Sequence, residues 1–346
     1  MAIEATNAAQ GAAPATKLAR PGLRTDGAVE IGPVLLPYSE FASRAARQTF
    51  VDAINPPPAE IGGDILGLRE HYAKQNQRLV DRMHELFTVD VRVDHVGGVR
   101  VHRVTPVQPC QKNDRRVLIC LHGGGFAWGA DSGALVEAIP IASQMGVEVI
   151  AVDYRLAPEH RFPAASEDVE AVYRELIKHH APTAIGLYGC SAGGILTAQS
   201  VAWLAKAGLA RPGAVAILGA GGGEMLGDSS YLSPMLEGYG AVAGGALRLT
   251  SLDYLAEASP QDPLAGPGEH VDVLRQFPPT LLIAGGRDFA ASSAANLHLK
   301  LDEVGVEARL YIFDALWHAF QIHPDLPESR HVYRIMATFF DRHLAA

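Results

Sequence analysis

Ser191 sits in Gly189-Cys190-Ser191-Ala192-Gly193, directly after the apolar run Ile185-Gly186-Leu187-Tyr188. A serine with glycine two residues to either side is what a tight strand-to-helix turn requires, because bulkier side chains at those positions would clash. Such a turn lifts the serine Oγ out of the sheet and sets it beside the positive end of the following helix. The chemistry open to that hydroxyl is nucleophilic attack on a carbonyl carbon, provided that a base, an acid to orient it and an oxyanion site are also present. The spacing alone is weak evidence in a chain with 35 glycines. The remaining parts must be found elsewhere.

His122-Gly123-Gly124-Gly125-Phe126 follows the run Val117-Leu118-Ile119-Cys120-Leu121. A buried strand that ends in glycines leaves backbone N–H groups bare. Acyl transfer from Ser191 places negative charge on the former carbonyl oxygen, and a fixed N–H donor there is worth a factor of ~10²–10³ in rate. Gly123, Gly124 and Ala192 are the expected donors. A phosphate-binding loop would place Lys and Ser/Thr after the glycines, and Phe126-Ala127-Trp128 stands there instead.

The acid and base come later in the chain. Thr280-Leu281-Leu282-Ile283-Ala284 reads as a buried strand, with Asp288 just beyond its end. Ala308 to Phe313 reads as the next strand, and His318 lies in the loop after it. His318 is the expected base for the Ser191 proton, and Asp288 the group that holds its tautomer and stabilises the imidazolium. A buried, merely structural histidine is the competing reading for any one of the 14; the position after the last strand singles out His318.

With Asp153-Tyr154-Arg155-Leu156-Ala157-Pro158-Glu159-His160-Arg161-Phe162-Pro163-Ala164-Ala165 added, the chain resembles the hormone-sensitive-lipase-like serine esterases (bacterial type IV) of the α/β-hydrolase superfamily. The resemblance runs from about Arg116 to the C-terminus, and the order Ser191, Asp288, His318 is that of the superfamily. It implies an α/β-hydrolase fold, a covalent acyl-enzyme, no cofactor and a preference for short to medium acyl esters. The Tyr154–Ala165 stretch is structural in that reading, with Arg155 expected to pair with Glu159. Two positions depart from the family pattern. Cys190 stands where an aspartate usually anchors hydrogen bonds around the turn, so that network must differ here. Cys190 itself is expected to be a buried thiol facing the core. After Asp288, Phe289-Ala290-Ala291-Ser292-Ser293 lacks a second acid, and Ser292 is expected to cap the next helix.

The elements around these residues alternate. Strands are expected at 117–121, 147–152, 185–189 and 214–218, with helices at about 134–145, 166–179 and 192–207. That pattern calls for a mostly parallel sheet with helices on both faces. Val89 to Val104 alternates around Gly97-Gly98 and reads as a hairpin that opens the sheet. Phe41–Ile54 and Ile65–Phe87 have helical spacing, the second with Leu66, His71, Leu79, Met83 and Leu86 near one face. Residues 31–88 are expected to form cap helices, 89–346 the catalytic core, and about 219–257 a second cap-like insertion. Residues 1–30 have no periodicity and are expected to be a disordered arm. Phe126, Trp128 and Tyr154 are the expected substrate-pocket residues, and Glu224 either faces the cleft or is a solvated loop carboxylate.

Composition narrows the class. At 346 residues with 48% hydrophobic content the chain can bury one large core and a smaller lid. A net charge of −9 without a basic stripe argues against nucleic acid. Cys110, Cys120 and Cys190 form neither a disulfide framework nor a metal-ligand spacing, and no secretory or membrane-spanning segment is visible. A cytoplasmic enzyme acting on a small-molecule ester is the expectation, with homo-oligomerisation open. An amidase, lactonase or acyltransferase would use the same residues. A non-catalytic small-molecule receptor on this scaffold is the reading from another class; such receptors usually lack the histidine.

Overall fold

The computed structural model describes residues 22–23, 29–30, 35–54, 64–110, 115–236, 248–259 and 261–346. Contacts divide the chain into Met1–Tyr38 and Ser39–Ala346. In the first, β1 (Gly22–Leu23) pairs antiparallel with β2 (Val29–Glu30), so part of the arm expected to be disordered carries a small ladder. The rest of residues 1–30 lies outside the described residues.

In the second unit, α1 (Arg44–Ile54) and α2 (Ile65–Leu86) precede the hairpin β3 (Val89–Val96) and β4 (Val99–Pro106). Then follow β5 (Val117–Leu121), α3 (Ser132–Met145), β6 (Glu148–Val152), α4 (Ala164–Leu176), β7 (Ile185–Cys190), α5 (Ala192–Lys206) and β8 (Ala214–Leu218). After α6 (Asp228–Leu236) and the short α7 (Val271–Leu274) come β9 (Thr280–Gly285), α8 (Ala291–Glu303), β10 (Ala308–Phe313) and α9 (Pro327–His343). The eight strands of the main sheet lie in the order β10-β9-β8-β7-β5-β6-β4-β3. β3–β4 and β4–β6 pair antiparallel, and the other neighbours are parallel.

Burial explains the composition of the strands. β5, β7, β8 and β9 are buried along their whole length. Helices cover both faces of a parallel sheet, so central strands read as unbroken apolar runs. Each Val, Leu or Ile buried there contributes roughly 1.5–3 kcal/mol. The edge strands β3 and β10 are half exposed. α5 is buried on nearly all sides and mostly apolar, with Thr197, Gln199 and Ser200 also buried, as suits a helix packed against the middle of the sheet.

The strand order also fixes where a site can form. From β5 the chain steps to β6 on one side, then returns to β7 on the other side of β5. The loops leaving β5 and β7 therefore diverge, and the crevice between them at the carboxyl ends of the strands is where open α/β sheets bind ligands. Those two loops are His122–Phe126 and the turn at Ser191.

The helix pair before the sheet was legible, but the face of α2 was not fully so. Val80 and Met83 are its buried residues, whereas Leu66 is 67% exposed in the first turn.

Candidate active site

Ser191 has φ 57° and ψ −122°, a conformation L-residues rarely adopt, at the junction of β7 and α5. Strain of this kind persists only where the surroundings enforce it. Here two glycines do so. A Cβ at Gly189 would come within 2.3 Å of Leu121 O, and one at Gly193 within 1.7 Å of the same oxygen. The turn packs directly on the end of β5, so only glycine fits. Ser191 N–H donates to Leu218 O at 2.8 Å, pinning the turn to β8 as well.

Asp288 is 1% exposed, and its Oδ1 accepts both Ala290 N–H at 2.8 Å and the His318 ring nitrogen Nδ1 at 2.9 Å. A carboxylate can only accept, so the shared proton sits on Nδ1 and leaves Nε2 as the basic nitrogen. Phe289 packs on the His318 ring at 4.3 Å between centroids. Gly219, at the end of β8, closes the other side. A Cβ there would stand 3.0 Å from Asp288 Oδ2 and 3.1 Å from His318 Cε1. The loop bearing His318 is held further by Trp317, whose ring lies 5.9 Å from that of Phe50 on α1.

Ser191 and His318 line one cavity of about 380 Å³ with Gly123, Gly124, Gly125 and Ala192. Its walls are chiefly apolar: Trp128, Val136, Ile195, Met225, Leu252 and Ile322. Tyr72 and Asn76 enter from α2, and the Tyr72 ring stacks on the Trp128 indole at 4.7 Å and 8°. Arg69, one turn earlier, donates to Ala127 O at 2.7 Å and Ala157 O at 2.8 Å and pairs with Glu159 at 2.7 Å. α2 is thereby tied to the loop after β5.

The structure corrects several expectations. Gly123 N–H is engaged by Glu137 Oε1 at 2.8 Å, so it is not available to an oxyanion. The N–H groups of Gly124, Gly125 and Ala192 have no acceptor among the described residues; the sequence does not show which way each glycine amide turns. Phe126 and Tyr154 do not line the cavity. Phe126 is fully buried and stacks on Tyr254 at 4.3 Å. Tyr154 stacks on His122 at 4.2 Å and donates its OH to His122 O at 2.6 Å. Both support the loop from beneath. Of the three expected pocket residues only Trp128 reaches the cavity.

Other pairings differ too. Arg155 pairs with Glu167 and Asp168, not with Glu159, because the turn into α4 brings their carboxylates nearer. Ser292 is the second residue of α8, and its Oγ accepts Ser229 N–H at 3.1 Å from α6 instead of capping its own helix. Glu224 neither enters the cavity nor stands free in solvent: its Oε2 accepts Leu249 N–H at 2.9 Å. Tyr239, in the middle of the 219–257 insertion, lies outside the described residues. Cys190 is 1% exposed, and burial pushes its thiol well above the ordinary range.

The hydrogen bonds expected to differ around Cys190 come from α3. Glu137 accepts Gly123 N–H through Oε1 and Cys190 N–H through Oε2, the latter at 3.0 Å. Burial pushes this carboxyl up to about 8, opposed by the two N–H donors and by His318. Cys120, Cys190, Tyr154 and Tyr188 also feel its charge. One signal could have found it. Glu137 is the sole charged residue in Ser132–Met145, a mostly apolar helix.

His102, Asp131 and Asp153 also converge, with ligand atoms close enough to surround an ion. Sequence spacing gave no sign of this, since the three come from separate segments. Arg100 already bridges both carboxylates, with Nη2 at 2.5 Å from Asp131 Oδ1 and Nη1 on Asp153 Oδ2. A guanidinium there makes the cluster an ion-pair network.

A sequence model of the alpha/beta hydrolase fold matches residues 118–322. That span holds the loop after β5, the turn at Ser191, Asp288 and His318 together. The chain therefore belongs to the α/β-hydrolase fold family. Among curated relatives, an acetyl-hydrolase of Streptomyces hygroscopicus is 29% identical over 235 residues, covering 67% of this chain and 77% of the relative. The crystal structure of an esterase, E25, superposes with a TM-score of 0.79 at 30% identity, covering 91% of this chain and 98% of that one. An esterase from the bacterial hormone-sensitive lipase family superposes at 0.72 with 27% identity, covering 87% and 99%. No helix among the described residues is long and apolar enough to cross a membrane.

Proposed function

We propose that this chain is a carboxylesterase acting on short- to medium-chain acyl esters through a covalent acyl-enzyme. The observation that carries this reading is the His318 Nδ1 to Asp288 Oδ1 bond of 2.9 Å, beside a serine held at φ 57° on the same cavity. Ser191 Oγ attacks the ester carbonyl while its proton passes to His318 Nε2. Asp288 stabilises the imidazolium, and the oxyanion faces the N–H groups of Gly124, Gly125 and Ala192 at the start of α5. The tetrahedral intermediate collapses, the C–O bond to the alcohol breaks, and His318 returns the proton to the departing oxygen. Water then repeats the sequence on the acyl-serine and releases the acid. No cofactor enters these steps.

The walls support small substrates. The Tyr72–Trp128 stack and Ile195 bound a space of about 380 Å³, at the small end of the range for ligand pockets. In this reading α2 and the described part of 219–257 form the cap. The name of the acetyl-hydrolase relative is in keeping with a short acyl group.

The test is a panel of p-nitrophenyl esters from acetate to laurate with the full chain and with Ser191→Ala. The wild type is expected to hydrolyse the short members best. Ser191→Ala is expected to keep its fold and lose roughly 10⁴-fold or more of kcat. Persistence of turnover in the folded variant would overturn the proposal.

A further inference from the structure

Glu137 is a half-buried carboxyl at the wall of the cavity, and its two oxygens reach two different loops. Oε1 accepts the N–H of Gly123, the residue before Gly124 and Gly125, which line the cavity. Oε2 accepts the N–H of Cys190, the residue before the nucleophile. Those partners lie 14 residues upstream and 53 downstream in the chain, on the two sides of the crevice where β5 and β7 diverge. α3 carries the carboxyl between them. Its own main chain is fastened to the same strand, since Tyr188 OH donates to Glu137 O at 3.0 Å. A Cβ on Gly123 would meet Ser191 Cβ at 3.4 Å and Glu137 Oε1 at 3.5 Å, so the two loops and the carboxyl are in close register.

We propose that Glu137 is a positioning residue: its carboxyl clamps the loop after β5 to the nucleophile turn and so sets the distance between Ser191 Oγ and the Gly124 and Gly125 amides. This deepens the reading above and rests on it. The geometry has a direct consequence for the amide of Gly123. By turning that N–H toward α3, the carboxyl fixes the peptide plane from which Gly124 and Gly125 proceed, and both of these glycines line the cavity. A misplacement of donors relative to the developing oxyanion weakens the transition state while leaving ground-state contacts with the apolar walls in place.

The clamp requires two accepting oxygens, which a carboxyl offers ionised or protonated, its hydroxyl oxygen still accepting through a lone pair. Glu137→Gln preserves size but presents an NH₂ to one of the two N–H donors, so one strand of the clamp becomes donor against donor. With p-nitrophenyl butyrate, kcat per active site, counted by fluorophosphonate titration, is expected to fall about 10- to 100-fold, the loss associated with displacing oxyanion donors. KM is expected to stay within roughly threefold, the pattern of an interaction made only in the transition state. Affinity for a trifluoromethyl ketone, which forms a tetrahedral adduct on the serine, should weaken in the same ratio as kcat/KM. Glu137→Asp, which keeps two acceptors on a shorter arm, should recover part of the loss. Ile139→Val, a buried change on the same helix, should leave kcat per titrated site unchanged. An undiminished kcat per site in Glu137→Gln, a loss carried by KM, or an equal loss in Ile139→Val would overturn the inference. If Glu137→Gln does not fold, the inference stands or falls on Glu137→Asp. In that variant a kcat per site below the wild type at constant KM supports it and an unchanged value overturns it. Failure of the underlying reading is distinct: the wild type would then take no fluorophosphonate at Ser191.

Discussion

At Cys190 side chain and backbone serve different ends. The thiol is buried and un-ionised, and the main-chain N–H fastens the turn to Glu137. Serine can take its place without disturbing that N–H, so Cys190→Ser is expected to keep most of the wild-type esterase rate. Loss of activity there, with retention in Ser191→Ala, would show the nucleophile to be misassigned. Glu137 yields a signed prediction for stability. Its carboxyl rises from an ordinary 4.5 to about 8 in the folded chain. Between those values the folded protein holds a proton that the unfolded chain has released. The stabilisation attached to it is complete below about pH 4.5 and is lost as pH rises toward 8, by up to ~1.4 kcal/mol per pH unit. Glu137→Gln cannot titrate. The difference in urea-unfolding free energy between wild type and Glu137→Gln should therefore shift in favour of the variant as pH rises from 5 to 8. A pH-independent difference would show that the carboxyl is not perturbed. Ser191, Asp288 and His318 could be singled out in the sequence because each sits in a local pattern of strand and turn, and the fold brings Asp288 onto His318 beside the cavity that Ser191 lines. Glu137 stands out only as the lone charge of its helix, and its role is hidden because its partners are 14 and 53 residues away.

At the scale of elements, packing shapes the cavity. α2 brings Tyr72 against Trp128, and Arg69 anchors the helix to Ala127 O and Ala157 O. The aromatic stack forms one end of the cavity. Trp128→Ala removes that wall, and each additional methylene that finds apolar surface gains at most ~0.8 kcal/mol. The acyl-length optimum of Trp128→Ala is expected to move to longer esters, with acetate turnover reduced or unchanged. An unshifted optimum would place the acyl group on the other side of the nucleophile, toward Leu252 and Met225. The strands and most helices were legible within a residue or two, since continuous apolar runs and helical spacing encode them directly. Side-chain direction in the glycine loop was not. Phe126 has φ 59° and turns into the core, and no spacing rule on either side of it reports that rotation. Likewise Arg155 found Glu167 and Asp168 only because α4 folds back on it.

For the whole molecule, the order of strands explains why one sheet can hold this chemistry. Reversal of direction at β5 parts two loops, and the strands β8, β9 and β10 then bring Asp288 and His318 alongside from farther along the chain. Chelation should not affect the rate. The proposed reaction uses only Ser191, His318, Asp288 and backbone amides, and the convergent Asp131 and Asp153 are bridged by Arg100. Loss of activity on incubation with EDTA, restored by a divalent cation, would contradict this. The central claim is that acyl transfer passes through Ser191 with His318 as its base, and the most direct test is to trap the acyl-enzyme. Rapid acid quenching with p-nitrophenyl acetate, followed by intact-mass and peptide mass spectrometry, should find a single acetyl group on Ser191, absent from Ser191→Ala and from His318→Ala. An acetyl group on another residue, or full turnover by Ser191→Ala with no acylated species, would contradict it.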